Sequence, residues 1–270
     1  MEQTRLEKDL IPDPELWVLA LRLSPSGLHV AALSLVEDNS LLGRHIPFAQ
    51  GSDTVQALED AVYDNPLLLL DFKKVWCIVE SPRTLVVPAE LEADPQPWFD
   101  FAYPSSGSTL LTDPLPRLGA GILTGIDPAI DRFLRRTFQR LTVMGHLVPL
   151  CRYFGSSRSN AAKMYVNLRT GSLDVIAIDS GRLLMANTFV CASAADAAYY
   201  ILACRSTLGM NPETSELLLC GDQFRREEIT PILRRYIRLV IPVIFPPRMF
   251  KAGRSAMQAP FDLIVTPLCE

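Results

Sequence analysis

The chain has 270 residues, of which 49% are hydrophobic and 21% are charged, and its formal net charge at pH 7 is -4. This balance is typical of a well-buried globular protein. A general nucleic-acid surface and an anionic membrane surface both need a cationic field, so the acidic charge argues against both as partners. The length fits one large domain or two of ordinary size.

The amino terminus and the cysteines favour a cytoplasmic protein. The first residues, MEQTRLEKDLIPDPE, are charged throughout and lack the apolar stretch of a signal peptide. The most apolar segment, residues 16–36, is interrupted by Arg22, a Pro-Ser-Gly turn and His29, so we expect no direct insertion into a membrane. The six cysteines lie mostly in apolar runs and show no zinc-site spacing, which indicates reduced thiols in a reducing compartment.

The first half of the chain predicts three strands, a helix and a fourth strand. Two apolar runs joined by Pro25-Ser26-Gly27 are typical of a β-hairpin. Ser52-Asp53 is a helix-start signal, and the helix it opens has an apolar face. The predicted strands are 16–23, 28–36, 41–48 and 74–80, and the helix ends near residue 64.

The second half repeats this order. Strands are predicted at 163–168, 172–179, 183–190 and 215–220, and the helix between the last two begins at a Ser193/Asp196 capping box. The corresponding elements are offset by about 140 to 146 residues, which indicates a duplication rather than a short-period repeat. We therefore predict an amino-terminal lobe at 1–155 and a carboxyl-terminal lobe at 156–270, with the boundary inside 152–162.

Each half then continues with further elements. In the first half we predict an irregular Pro-rich segment at 84–118. It is followed by a strand at 119–124, a helix at 127–140 and a strand at 143–149. In the second half we predict a helix with Ile229 to Ile237 on its inner face, a strand at 239–245 and a terminal strand at 261–266.

The order of three strands, a crossover helix and a fourth strand occurs twice in the chain. This arrangement resembles the actin-like ATPase superfamily of actins, sugar kinases, heat-shock chaperones and pilus-assembly ATPases. The strings VESPRTLVVPAEL (79–91) and PFDLIVTPLCE (260–270) look like those of a bacterial family of unknown function with this fold. The resemblance implies an α/β fold of duplicated actin-like (ribonuclease H-like) lobes. Each lobe would hold a mixed sheet of three antiparallel strands plus parallel strands with crossover helices, and a nucleotide would lie in the cleft between the lobes.

The first phosphate-binding turn of the superfamily would fall at Leu21-Arg22-Leu23-Ser24. There the superfamily pattern has an acidic residue, an apolar residue and a glycine, whereas this chain has Arg22 in place of the acid and Ser24 in place of the glycine. The acid organises magnesium and the glycine allows the backbone to approach a phosphate. Neither feature is retained, although Ser26 lies in the same turn.

The second phosphate turn and the adenosine turn are also altered. The second turn would place Asn167 where the acid belongs and Arg169 where a glycine belongs, followed by Thr170 and Gly171. Asp174, on the next strand, does match an acidic residue common in the superfamily. In the adenosine turn a Gly-Gly pair has become Gly221-Asp222. If the fold is right, the two phosphate turns face each other across the cleft.

Each of these residues also has a purely structural interpretation. Arg22 would pair with a nearby carboxylate at a strand end. Asp174 would be a solvent-facing residue of an alternating strand. Asp222 would lie at the amino terminus of a helix after the turn at Gly221. The three histidines are isolated in sequence and indicate neither a metal site nor a catalytic triad.

The leading hypothesis is a non-catalytic or weakly nucleotide-binding pseudo-ATPase that acts as a binding or scaffold protein with an unknown protein partner and no cofactor. We predict neither catalytic nor metal-ligating residues. The alternative is a divergent ATPase or phosphotransferase that binds ATP and magnesium between the lobes. A third interpretation, a component of an assembly platform that docks a membrane protein, rests on the resemblance alone.

We expect all six cysteines to be free thiols, because the chain carries the signals of a reducing compartment. The measurement is a thiol titration of freshly purified, denatured protein without reductant. A count below six would show that this prediction is wrong.

Overall fold

The computed structural model describes residues 5–36, 41–91, 94–157, 161–244, 246 and 259–269. The strands are β1 (Trp17–Ser24), β2 (Gly27–Ser34), β3 (Leu41–Pro47), β4 (Lys74–Val79), β5 (Thr84–Pro88), β6 (Thr109–Leu115), β7 (Ala120–Ile126), β8 (Leu141–Gly145), β9 (Lys163–Arg169), β10 (Ser172–Asp179), β11 (Arg182–Val190), β12 (Glu216–Gly221) and β13 (Val240–Pro242). The α-helices are α1 (Thr54–Tyr63), α2 (Gln96–Ala102), α3 (Pro128–Thr137), α4 (Leu147–Gly155), α5 (Ala194–Thr207), α6 (Gln223–Leu233) and α7 (Phe261–Val265).

Two five-stranded sheets repeat one topology, which confirms the predicted duplication of element order. The first sheet has the order β3-β2-β1-β4-β8 and the second the order β11-β10-β9-β12-β13. In each, the first three strands are antiparallel and the last two run parallel to the first strand. Each sheet is therefore the predicted mixed sheet, with a crossover helix, α1 or α5, before its fourth strand.

A smaller third sheet corrects the prediction that residues 84–118 are irregular. This segment supplies β5, α2 and β6, and β7 pairs antiparallel between the two strands in the order β5-β7-β6. The segment looked irregular because of its prolines, but Pro88 and Pro114 lie in the two edge strands. An edge strand tolerates a residue that cannot donate a ladder hydrogen bond.

The second part of one predicted strand and nearly all of another are helical. The predicted strand 143–149 ends at Gly145 as β8, and α4 starts two residues later. Helix α4 includes the first part of the predicted boundary segment 152–162. Residues 158–160 of that segment lie outside the described residues. The predicted terminal strand 261–266 is α7, whose five residues are all buried. A short apolar run that is buried on every side has no periodicity to separate a strand from a helix, so the pattern could not decide.

The end of the predicted strand 239–245 cannot be compared, because residue 245 lies outside the described residues and β13 covers Val240–Pro242. Within the described ranges, no helix has the length and apolarity needed to cross a bilayer. All six cysteines are unpaired in the structure, and five of them are buried.

Strand alternation separates three large apolar clusters in the described part of the chain. In β1, Leu19, Leu21 and Leu23 pack under α1 and α3, whereas Val18 and Ala20 face the other way. That second face meets residues of β10, α4 and α7 in one cluster that joins the two sheets, while α5 and α6 cover a third cluster on the outer face of the second sheet. Because α4 and α7 both pack between the sheets, the division into lobes at residue 155 stays a prediction.

Candidate functional site

A cavity of about 860 Å³ lies between the two large sheets. Nine of the ten residues predicted for the nucleotide cleft line it, and they come from the β1–β2 turn, the β9–β10 turn and the β12–α6 turn: Arg22, Ser24, Ser26, Asn167, Arg169, Thr170, Gly171, Gly221 and Asp222. The expectation that the two phosphate turns face each other is therefore confirmed. Binding of a nucleotide by these residues stays a prediction.

Asp174 is the exception, and its predicted exposure is wrong. Its side chain is fully buried beneath the cavity rather than facing solvent. In the sheet register Asp174 lies opposite Asn167 of β9 and Thr188 of β11, so three polar side chains stand side by side. Asn167 Nδ2 donates to Asp174 Oδ2 at 2.9 Å, and Thr188 Oγ1 donates to Asp174 Oδ1 at 2.8 Å.

Arg169, at the end of β9, also binds Asp174. Its Nη2 lies 2.7 Å from Asp174 Oδ1, and its Nε lies 3.1 Å from Asp174 Oδ2, which is the bidentate geometry that guanidinium and carboxylate groups favour. The residue that replaces a glycine of the superfamily pattern is thus the counterion of the acid that the pattern retains.

Arg22 behaves as its structural interpretation predicted. It is 3% exposed, and its Nε donates to Asp262 Oδ2 of α7 at 2.7 Å, while its Nη2 donates to Glu80 Oε2 at 3.0 Å. The alternation of β1 places Arg22 on the face of Val18 and Ala20, which is the face turned toward the second sheet.

Glu80 joins the two arginines and was not predicted as a site residue. It follows β4 directly, and its Oε1 lies 2.5 Å from Arg169 Nη1 while its Oε2 accepts from Arg22. One carboxylate therefore bridges guanidiniums from the two sheets. The available signal was an acid at the carboxyl end of a buried parallel strand, next to the strand that carries Arg22.

His146 completes the network and was also missed. It lies between β8 and α4, is fully buried, and its Nε2 is 2.8 Å from Thr188 Oγ1. Since the Thr188 hydroxyl donates to Asp174, His146 Nε2 carries the proton of this contact. His146 Nδ1 has no hydrogen-bond partner among the described residues. Sequence spacing could not identify His146, because its partners lie on β10 and β11.

The electrostatics of the network favour charged groups despite burial. Burial raises the pKa of Glu80, but Arg169 and Arg22 outweigh it and hold that pKa below its ordinary value. Burial likewise opposes ionisation of Asp174, yet Arg169 holds its pKa well below the usual range. Burial also disfavours the guanidinium charges, but their carboxylate partners raise the pKa of both arginines. The network is a set of mutually compensated ions.

The adenosine turn keeps its tight backbone. Gly221 has φ +86°, and a Cβ there would lie 2.6 Å from Asn167 Oδ1 and would also collide with the Leu168 carbonyl, so only glycine fits. Asp222 caps α6, as predicted, because its Oδ1 accepts from Arg225 N at 2.8 Å. Sequence reasoning therefore located this turn and its helix correctly.

The donor set does not suit a magnesium–nucleotide complex. Magnesium binds carboxylate oxygens and water, and strongly disfavours adjacent cations. Among the described residues, the carboxylates that line or underlie the cavity already have partners: Glu80, Asp174 and Asp262 bind guanidiniums, and Asp222 caps α6. Within the described ranges, no group of three or more His, Cys, Asp or Glu is placed to hold a metal ion.

A stacked histidine pair lies beside the cavity, and His29 is the member of the pair that lines it. His29 and His45 are opposite each other on β2 and β3, with ring centroids 4.0 Å apart. Burial, then His45 and Arg22, lower the pKa of His29 to about 3. Burial also lowers the pKa of His45. Both rings are therefore neutral at physiological pH.

We expect His29→Gln to reduce the acid sensitivity of the fold. The pKa of His29 in the folded state lies below its unfolded value, so the folded state loses stability as the pH falls from about 6.5 toward 3. The measurement is the thermal midpoint between pH 7 and 5, above the range in which Glu80 and Asp174 titrate. The thermal midpoint of the wild type should fall more between pH 7 and 5 than that of the variant. Parallel dependences of the two midpoints on pH would contradict this assignment.

We expect Arg169→Met to lower the free energy of unfolding by about 3–5 kcal/mol, because it removes the guanidinium bound to buried Asp174 and leaves Glu80 with Arg22 as its remaining cation. Arg169→Met combined with Asp174→Asn should recover part of that loss. Chemical denaturation measures both variants. The control is Arg135→Met, which breaks a half-exposed pair with Asp131 and should cost less than about 0.5 kcal/mol. Equal losses in Arg169→Met and the control would refute the network.

Comparison with solved structures identifies the fold. A protein of unknown function with an actin-like ATPase fold from Bacteroides thetaiotaomicron superposes with a TM-score of 0.78 at 24% identity, covering 88% of this chain and 95% of that one. A chain of the PilM–PilN type IV pilus biogenesis complex superposes with a TM-score of 0.59 at 13% identity, covering 95% and 98%. The present chain has the actin-like ATPase fold. No curated protein matches the sequence.

A family match covers most of the chain and agrees with the resemblance read from its sequence. It spans residues 13–240, which include both large sheets up to the first residue of β13. The chain belongs to the family described as protein of unknown function, DUF3822.

Proposed function

We propose that this chain is a binding or scaffold protein whose nucleotide cleft is a pseudo-ATPase site. The observation that carries the proposal is the bridge of Glu80 between Arg22 and Arg169. The two positions at which the superfamily pattern has an acid and a glycine carry guanidiniums instead, and those guanidiniums are neutralised by the protein's own carboxylates. Internal ion pairs take the place of a metal–phosphate complex between the sheets.

The chemistry of the cleft supports this proposal. Hydrolysis of a nucleotide needs a group that positions water and a cation that neutralises the phosphates. The two arginines are cations, but both are already bonded to carboxylates, and these carboxylates in turn are too tightly paired to act as bases. Binding a phosphate to Arg22 or Arg169 would require one of their ion pairs to break, with a carboxylate left without its cation.

A protein partner is favoured by the fold's occurrence in assemblies. A chain of the PilM–PilN type IV pilus biogenesis complex shares this fold. At 13% identity the likeness supports a protein partner for the present chain but does not identify it. In this proposal the cleft stabilises the fold, and the function lies on the surface.

The alternative is a divergent ATPase or phosphotransferase, and the cavity itself favours it. A volume of about 860 Å³ is within the range of small-molecule sites. The tight turn at Gly221 is also retained at its edge.

Titration with magnesium and ATP separates the two proposals. For the wild type we expect no binding heat at micromolar concentrations and no phosphate release above the blank, because Arg22 and Arg169 are already neutralised. Asp174→Asn serves as the matched variant, since it removes the acid that the superfamily pattern retains. Micromolar affinity, or magnesium-dependent turnover that Asp174→Asn abolishes, would establish the alternative.

A further inference from the structure

The insertion between β4 and β7 contains an acidic segment. Residues 84–116 contain five acidic residues and no lysine, arginine or histidine. This segment is therefore strongly acidic. Of the acids on it, Glu90, Asp94 and Asp100 are exposed.

Helix α2, in the middle of this insertion, displays two aromatic side chains to solvent. Phe101 is 87% exposed and Trp98 is 46% exposed. They are three residues apart on a helix and so share one face. Asp100 lies on the same short helix, with its carboxylate bonded only to Gln96 Nε2 at 2.8 Å among the contacts described.

Firm anchoring of α2 shows that this exposure is not the result of a loosely packed helix. Phe99 is 1% exposed and packs so closely on Gly125 of β7 that any Cβ there would collide with its ring. Just after the helix, the Tyr103 hydroxyl accepts from Thr84 N at 3.1 Å and donates to Thr84 O at 2.8 Å. The helix is therefore held at its middle and at its carboxyl end.

We propose that α2 and its flank dock a cationic segment of a partner protein that also carries apolar side chains. This α2 surface consists of Trp98, Phe101 and the exposed acids near them in sequence, Glu90, Asp94 and Asp100. The inference rests on the proposed binding role of the chain. Exposed aromatic residues on a rigid element supply the energetic centre of protein interfaces. The three acids favour a basic partner and repel an anionic bilayer.

The test is a selection of phage-displayed random peptides of about 15 residues, long enough for four helical turns, on the full chain. We expect enriched peptides to combine lysine or arginine with apolar residues. Their affinity should fall by at least about tenfold for Trp98→Ser with Phe101→Ser. It should stay unchanged for Tyr199→Ser with Tyr236→Ser, which removes two aromatics that are 67% and 60% exposed elsewhere.

Asp100→Lys provides a second variant, because it reverses the charge and gives up only the described contact with Gln96. It should weaken the same peptides by about tenfold at low salt. Acidic consensus peptides, no enrichment, or equal binding to the aromatic variant would overturn the proposal. So would a dimer that the aromatic variant converts to a monomer, or binding to phosphatidylcholine vesicles that it abolishes. None of these outcomes depends on ATP, so this inference and the pseudo-ATPase proposal can fail separately.

Discussion

One partly buried carboxylate, shared by arginines from opposite sheets, organises the centre of this protein. Glu80 would be costly at this depth without a cation, and so would Arg22 and Arg169 without an anion. The charge of each side chain is compensated by the opposite charges of the others. Each of the three side chains is positioned by the end of a strand. Removal of either arginine leaves a buried aspartate, Asp262 or Asp174, without its guanidinium partner, and Glu80 couples the two pairs into one network.

Apolar contacts also join the two sheets at this centre, and they oppose opening of the cleft. Val18, Ala20 and Ile176 from the two sheets belong to one apolar cluster with α4 and α7. Asp262 of α7 binds Arg22, so the helix joins the cluster and the ion network at once. An opening of the cleft would have to expose apolar surface and separate charges together. The architecture therefore favours a fixed frame over a cycle of closure around a nucleotide.

Much of the frame could be predicted because period-two alternation and turn residues are local signals. The strands on either side of Pro25-Ser26-Gly27, the capping box at Ser193 and the repetition of element order all follow from neighbouring residues. The positions of Arg22 and Arg169 in facing turns followed from that repetition. Asp174 was placed correctly in its strand, but its burial depends on α4 and His146, which no local pattern connects to it. Glu80 and α7 were missed for the same reason, since their partners lie far away in sequence.

In the proposed function, ion pairs and not a bound nucleotide hold the cleft of this protein. The decisive measurement is hydrogen exchange of amides near residues 78–82 and 167–174, in the wild type and in Glu80→Gln, each with and without magnesium and ATP. We expect slow exchange in the wild type that magnesium and ATP do not change, and faster exchange in Glu80→Gln. Protection of these amides by magnesium and ATP in the wild type, with no effect of Glu80→Gln, would contradict it.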